Sequence, residues 1–336
     1  MVEQRKPLVL DEVEIPPLSY GQVLVEIKVT RICGSQIGEI DGVKGPDKYL
    51  PHLLGHEAGG VVLEVGPEVR NVKPGDRVVA HWRLGRGIEA RPPVYQWNGK
   101  KTNAGCITTF NQYAILSENR LTAVPADTDF EVCALLADTL TTGFGVINND
   151  AHVKIGEAVV IIGIGGIGLG VVLGAKLAGA YPIIGVDLHD HKLKKAAEYG
   201  MTHGINSTQA DFPDAVRQIL NGAAPEVVID GTGNPDVLAK AFALAGNSGR
   251  CVGFGVMPYD RKLSINTLPL HLGKVLTGSH GGASQPADDI PRYLRMMRAG
   301  VFDPKGFTSH RIPLAKVNEG IAGMKSGEVI HCMIHF

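Results

Sequence analysis

A chain of 336 residues, 44% hydrophobic, with 33 basic against 34 acidic side chains and a net charge of −1, has material for roughly two domains at about 150 residues each. Its balanced, dispersed charge excludes a polyanion-binding surface, so nucleic acid is not an expected partner. The N-terminal MVEQRKPLVLDEVEI lacks the apolar core and cleavage site of a secretory signal, and the five cysteines, Cys33, Cys106, Cys133, Cys251 and Cys332, show no CxxC pair or disulfide-like spacing. A cytoplasmic protein with thiols that are free, buried or metal-bound is expected.

From the N-terminus to about residue 145 the chain reads as short strands, QVLVEIKVT, AGGVVLEVG, DRVVAHW and FNQYAILS, bounded by Gly, Pro, Asn and Asp. TRICGSQIGEI and LLGHEAGG place Cys33, Ser35, His56 and Glu57 at strand edges. HWRLGRG brings His81, Trp82, Arg83 and Arg86 together, either as a polar wall for a substrate or as a loop whose arginines meet solvent or a neighbouring subunit. In LLADTLTTGFG, Asp138 stands ahead of Thr-Leu-Thr-Thr, a good helix N-cap sequence that on its own favours a cap over a metal-binding carboxylate.

Residues 158 to 175, AVVIIGIGGIGLGVVLGA, form an uncharged run long enough to suggest a membrane span. The glycines clustered within it make a poor continuous helix and suit a buried strand, a tight turn and a helix start instead, so no membrane is expected. EAVVIIG, PIIGVDL, EVVIDGTG and GRCVGFG then alternate with helix-length stretches, the pattern of a parallel, doubly wound sheet. DDIPRYLRMMRAG has helical spacing, and EVIHCMIHF reads as a strand returning to the first half.

The strongest local signal is GIGGIG, residues 163 to 168, between the strand EAVVII and a helix. Gly163 permits the tight turn, Gly165 lets backbone approach a pyrophosphate, and Gly168 allows close helix–strand packing, with Gly166 and Ile167 opening the helix toward the phosphates. Asp187 ends the next strand, where a carboxylate accepts hydrogen bonds from ribose hydroxyls and repels a 2′-phosphate; NAD is therefore favoured over NADP. Lys192, just beyond, either touches the adenosine ribose or is a solvated helix residue.

CGS at 33 to 35, GHE at 55 to 57, VKPGDRV at 72 to 78 and GIGGIG at 163 to 168 occur in the order found in the zinc-dependent medium-chain alcohol and polyol dehydrogenase family, which the chain resembles over its whole length. The resemblance implies an α/β protein with a GroES-like β-rich catalytic domain at 1–145 and 286–336 and an inserted Rossmann NAD-binding domain at 146–285. It implies Cys33, His56 and Asp138 as ligands of one catalytic zinc, with Glu57 beside the metal, Thr142 near the cofactor and Ser35 as the hydroxyl that relays the substrate proton. Cys133 is out of register and is read as a core residue. A homodimer or homotetramer acting on a small molecule is expected.

Four departures from the family pattern stand out. Gln36 replaces a frequent Asp, and Gly38 falls where many relatives carry a relay histidine, leaving His81 or water for the outer proton path. Residues 85 to 115 hold only Cys106, too few thiols for a structural zinc. His331 stands where some relatives place an arginine on the cofactor pyrophosphate, and either takes over that contact or lies near the surface. Zinc would supply Lewis acidity, Ser35 would take the alcohol proton, and the nicotinamide would accept a hydride. The polar residues at 81 to 83 favour a polyol, cyclitol, sugar or sugar phosphate. A zinc-free quinone or enone reductase, or a non-catalytic NAD(H)-binding protein, are the competing readings.

Overall fold

The computed structural model describes residues 1–336. In chain order the first part contains β1 (Gln22–Ile32), α1 (Gly34–Ile40), β2 (Glu57–Val65), β3 (Arg77–His81), β4 (Val94–Trp97), β5 (Lys100–Asn103), β6 (Tyr113–Ser117), β7 (Leu121–Val124) and α2 (Phe130–Ala137). The middle part runs through α3 (Thr139–Gly145), β8 (Val159–Ile162), α4 (Gly166–Leu177), β9 (Ile183–Asp187), α5 (Asp190–Glu198), β10 (His203–Asn206), α6 (Phe212–Ile219), β11 (Val227–Asp230), α7 (Pro235–Leu244), β12 (Arg250–Gly253), α8 (Leu268–His271) and β13 (Val275–Gly278). The last part adds α9 (Pro286–Arg298), β14 (His310–Pro313), α10 (Val317–Lys325) and β15 (Cys332–His335).

Two compact units result: Met1–Gly42 with Pro46–Asp138 and Gln285–Phe336, and Val43–Gly45 with Thr139–Ser284. The division falls after Asp138, ahead of the boundary expected at 145. The physical reason is α3, whose Gly143 lies so close to the backbone of Gly170 and Val171 on α4 that a Cβ there would meet Gly170 at 2.5 Å. This helix belongs to the second core.

In the first unit the sheet runs β14-β15-β1-β2-β3-β7, with β6 also paired to β1. Alternation of apolar residues on β1 puts Val23, Val25 and Ile27 into a core with Val62, Val78, Ala114 and Leu116. The C-terminal strand does return to the first half: β15 pairs antiparallel with β1, Ile32 opposite Cys332 and Arg31 opposite Met333. The short β4–β5 hairpin forms its own two-stranded sheet.

The second unit is a six-stranded parallel sheet in the order β10-β9-β8-β11-β12-β13. The strand order reverses beside β8, the arrangement that opens a crevice at the carboxyl ends of the strands. Residues 158 to 175 form a buried strand, a turn and a helix, as their glycines require. Residues Phe130–Asp150 are long and apolar enough to cross a bilayer, yet most of that stretch is buried inside the fold.

Candidate active site

Three separate segments of the first unit meet at one point. Cys33 follows β1 with extended backbone and is the N-cap of α1, and its N–H donates to Gln36 Oε1 at 2.8 Å. His56 and Glu57 open β2, where Glu57 lies opposite His81 of β3. Asp138 sits at the break between α2 and α3, with φ −149° and ψ −57°. That break turns its carboxylate toward β1 and β2.

One ligand atom from each of Cys33, His56, Glu57 and Asp138 lies within 4.8 Å of the others. Asp138 Oδ2 is 3.5 Å from Cys33 Sγ and 3.8 Å from His56 Nε2, while Oδ1 accepts from the Trp82 indole N–H at 3.0 Å. The carboxylate is thus oriented by Trp82 with one oxygen turned into the cluster. Helix α2 has its own N-cap, Asp129, which accepts from the N–H groups of Glu131 and Val132. Ser35 Oγ donates toward Cys33 Sγ at 3.5 Å, placing the hydroxyl at the edge of the cluster. Cys133 stays in the core, fully buried against the Gly59 backbone, and burial pushes its thiol up to about 12.

Two buried polar atoms in the cluster, His56 Nε2 and Glu57 Oε1, have no hydrogen-bond partner. An uncompensated imidazole nitrogen facing a thiol and a carboxylate oxygen is costly in a protein interior and fits a metal cation at their centre. The chemistry of the donors agrees: Cys, His and Asp are the sulfur, nitrogen and oxygen donors of zinc sites, and three of them leave a tetrahedral position open. Burial opposes protonation of His56, but Asp138 and Cys33 outweigh it and hold its pKa well above the ordinary value. Burial likewise pushes Glu57 above the usual carboxylate range, against the opposing pull of Arg31.

Arg31 is the residue that sequence reasoning missed. Only 1% exposed, it donates from Nε to Glu57 Oε2 at 2.9 Å, lies 3.2 Å from His331 Nδ1 through Nη1, and stands 3.6 Å from Asp138 Oδ2 through Nη2. The available signal was a lone charge in the otherwise apolar strand end ahead of Cys33. His331 is fully buried against Arg31 and the Phe307 ring, not near the surface.

His81 requires a correction. It is fully buried, its Nδ1 bonded to Arg83 O at 2.8 Å and its Nε2 to Thr122 Oγ1 at 2.9 Å. Both nitrogens are committed to structure, so it neither lines a substrate pocket nor relays a proton; burial also pushes its pKa down to about 4. Trp82 and Arg83 are half-buried, with the ring of Trp82 6.5 Å from that of His56 and the Arg83 guanidinium 5.6 Å from the Trp82 centroid. Arg86 is paired with Asp288 at the surface.

In the second unit each glycine of the turn has its own geometry. Gly163 has φ +89°, the left-handed region that favours glycine; Gly165 N-caps α4 with open space where a Cβ would stand; a Cβ on Gly168 would lie 2.1 Å from Gly163 O. Gly166 and Ile167 form the first turn of α4, half-buried with their backbone toward the turn. Asp187 ends β9 and accepts from the N–H of Ile164 at 2.8 Å and of His189 at 3.0 Å, tying strand to turn. Lys192 is half-buried on α5, and Thr142 is buried on α3.

A buried Cys/His/Asp cluster in one unit and a dinucleotide-type turn in the other define a metal-using, nucleotide-linked oxidoreductase. Residues 19–126 match the model for the alcohol dehydrogenase GroES-like domain, and residues 166–299 that for zinc-binding dehydrogenases. The chain is similar to an alcohol dehydrogenase class-3 of Cereibacter sphaeroides, 32% identical with 100% of this chain and 98% of the relative covered. It is also similar to an S-(hydroxymethyl)glutathione dehydrogenase of Paracoccus denitrificans, 31% identical over 99% and 97% of the two chains. Among solved structures, an alcohol dehydrogenase zinc-binding domain protein of Burkholderia ambifaria superposes with a TM-score of 0.88 at 26% identity, covering 100% of this chain and 97% of that one. The chain belongs to the zinc-dependent medium-chain alcohol dehydrogenase family, a family of NAD-dependent enzymes, and has its GroES-like and Rossmann-type architecture.

Proposed function

We propose that this enzyme interconverts a polar secondary alcohol and its ketone, with a substrate from the polyol, cyclitol, sugar or sugar phosphate class and one catalytic zinc per chain. The observation that carries the chemistry is the convergence of Cys33, His56 and Asp138 donor atoms within 4.8 Å, with Ser35 Oγ 3.5 Å from Cys33 Sγ. When bound, zinc supplies Lewis acidity to a substrate oxygen and NAD supplies the hydride acceptor.

The chain's residues divide the remaining work. Cys33, His56 and Asp138 hold the metal, and Trp82 orients Asp138 through Oδ1 so that Oδ2 faces the cluster. Ser35 takes the proton from the substrate hydroxyl. With glycine at position 38 and both His81 nitrogens occupied, solvent carries the proton onward. The glycine turn and the N-terminus of α4 receive the pyrophosphate, and Asp187 faces the ribose hydroxyls.

The substrate class rests on the polar character of the stretch around Trp82 and Arg83, which stand half-buried beside His56. Zinc analysis of the purified enzyme, followed by NAD reduction with a panel of polyols, cyclitols, sugar phosphates, simple alkyl alcohols and S-(hydroxymethyl)glutathione, tests the proposal. Stoichiometric zinc with turnover of the polyhydroxylated or anionic members is the expected result. A preference for alkyl alcohols overturns the polar class. Reduction of enones or quinones without zinc, or NADH binding with no turnover, overturns the metal chemistry.

A further inference from the structure

Four potential ligand atoms converge where an open catalytic site needs three. Glu57 is part of the same cluster as Cys33, His56 and Asp138, and its Oε1 lies 3.7 Å from His56 Nε2 with no hydrogen bond of its own. Four protein ligands would complete a tetrahedron and leave no place for a substrate oxygen. Something must hold Glu57 aside.

We propose that Arg31 is a positioning residue that holds Glu57 off the metal and so keeps the fourth coordination place open; this rests on the zinc reading above. Its Nε takes Glu57 Oε2 at 2.9 Å, and both side chains are essentially inaccessible to solvent, 1% and 0% exposed. The guanidinium is itself braced. Nη1 lies 3.2 Å from His331 Nδ1, and His331 is fully buried with its ring 5.6 Å from that of Phe307. Pairing of β15 with β1, Ile32 opposite Cys332, delivers His331 to Arg31. The position at which a cofactor contact was expected therefore serves the metal cluster from behind.

Charge balance gives the latch its direction. A cysteine thiolate and the Asp138 carboxylate match a divalent cation, while Arg31, 3.6 Å from Asp138 Oδ2, hydrogen-bonds Glu57 and matches its carboxylate. Burying an ion pair is tolerated when both partners stay paired, and removing one partner leaves an uncompensated buried charge. Without Arg31 the nearest cation for Glu57 is the metal, and Oε1, already within 4.8 Å of the other donor atoms, has nothing on its partner oxygen to hold the carboxylate back. The open site then closes.

Cobalt(II) substitution in the full chain tests this through the d–d spectrum, which responds to coordination number. The wild-type complex is expected to shift its bands when imidazole, a small neutral donor, is added. In Arg31→Met the bands should no longer respond, and removal of cobalt by a chelator should slow by about tenfold, within the range that outer partners exert on metal affinity. Adding Glu57→Gln to Arg31→Met should restore the imidazole response, which a merely structural defect would not do. An imidazole response in Arg31→Met equal to wild type overturns the proposal. Should that variant not fold, Arg31→Lys, which keeps the charge and loses the guanidinium fork, should show a response weakened several-fold, and an unchanged one overturns the latch. Failure of the wild type to bind cobalt strikes the zinc reading itself, and the two failures are thereby distinct.

Discussion

The glycine turn at 163 to 168 and the metal cluster are built by opposite routes. The turn is assembled from neighbours in sequence: left-handed backbone at Gly163, open space at Gly165 and backbone contact at Gly168 all lie within six residues, with Asp187 one strand away. The cluster draws Cys33, His56 and Asp138 from three segments and its brace, His331, from a fourth, 300 residues beyond Arg31. A local device tolerates change elsewhere in the chain. A device assembled at long range is only as well placed as the sheet that carries it.

The largest expected effect follows from removing a ligand. Asp138→Ala should lose zinc and lower kcat/KM by on the order of 10³-fold or more, because Lewis-acid stabilisation is worth several kcal/mol and about 1.4 kcal/mol is a factor of ten. Metal analysis and steady-state kinetics check it, and tight zinc retention would remove Asp138 from the set. The cluster's surroundings respond to pH through His81. Burial depresses its pKa from the usual ~6.5 to about 4, so the unfolded chain binds a proton that the folded chain refuses. The stability this residue contributes is complete above pH ~6.5 and is lost as pH falls toward 4, by up to roughly 3 kcal/mol. Thermal melts over that window should slope less steeply in His81→Gln than in wild type; parallel slopes would contradict the assignment.

Within the turn, two alanine substitutions should fail differently. Gly168→Ala drives a Cβ against Gly163 O at 2.1 Å and should cost about 1–3 kcal/mol of stability. Gly165→Ala meets no protein atom within 4 Å and should melt like wild type while binding NADH at least ~10-fold more weakly, since the added methyl occupies space left for the pyrophosphate. Equal melting temperatures and equal NADH affinities in both variants would erase the distinction. The smallest effect is expected at Asp187. Asp187→Asn keeps one acceptor oxygen where Asp187 offers two, to the N–H of Ile164 and of His189, and removes the charge; it should narrow the preference for NADH over NADPH by about tenfold, as two titrations would show. Tighter NADPH binding in the wild type would contradict the role of Asp187 outright.

The two routes also differ in how far they can be read from residues alone. Strand runs such as AGGVVLEVG and the alternation after residue 145 announce a β-rich part followed by a parallel sheet, because side-chain periodicity is a local property of the backbone. Asp138 became a ligand candidate only through the register of Thr142-Gly143, and its chemistry depends on a helix break that places the unit boundary there instead of at 145. The sequence alone puts His81 on a pocket wall and allows His331 a place near the surface, whereas both are fully buried. Burial and partner atoms belong to the packed sheet, and a one-letter string carries neither.

The order of motifs determined the family and, through that resemblance, the three candidate ligands, while the dinucleotide turn with its carboxylate depends on residue type at short spacing. Tertiary structure alone decided that Trp82 orients Asp138, that His81 is walled in, and that Arg31 lies between Glu57 and His331. The Arg31 contacts join residues brought together by the pairing of β1 with β2 and β15, and the His81–Thr122 contact by the pairing of β3 with β7. A buried charge takes its meaning from whichever partner lies within hydrogen-bond reach, and reach is a property of the folded chain.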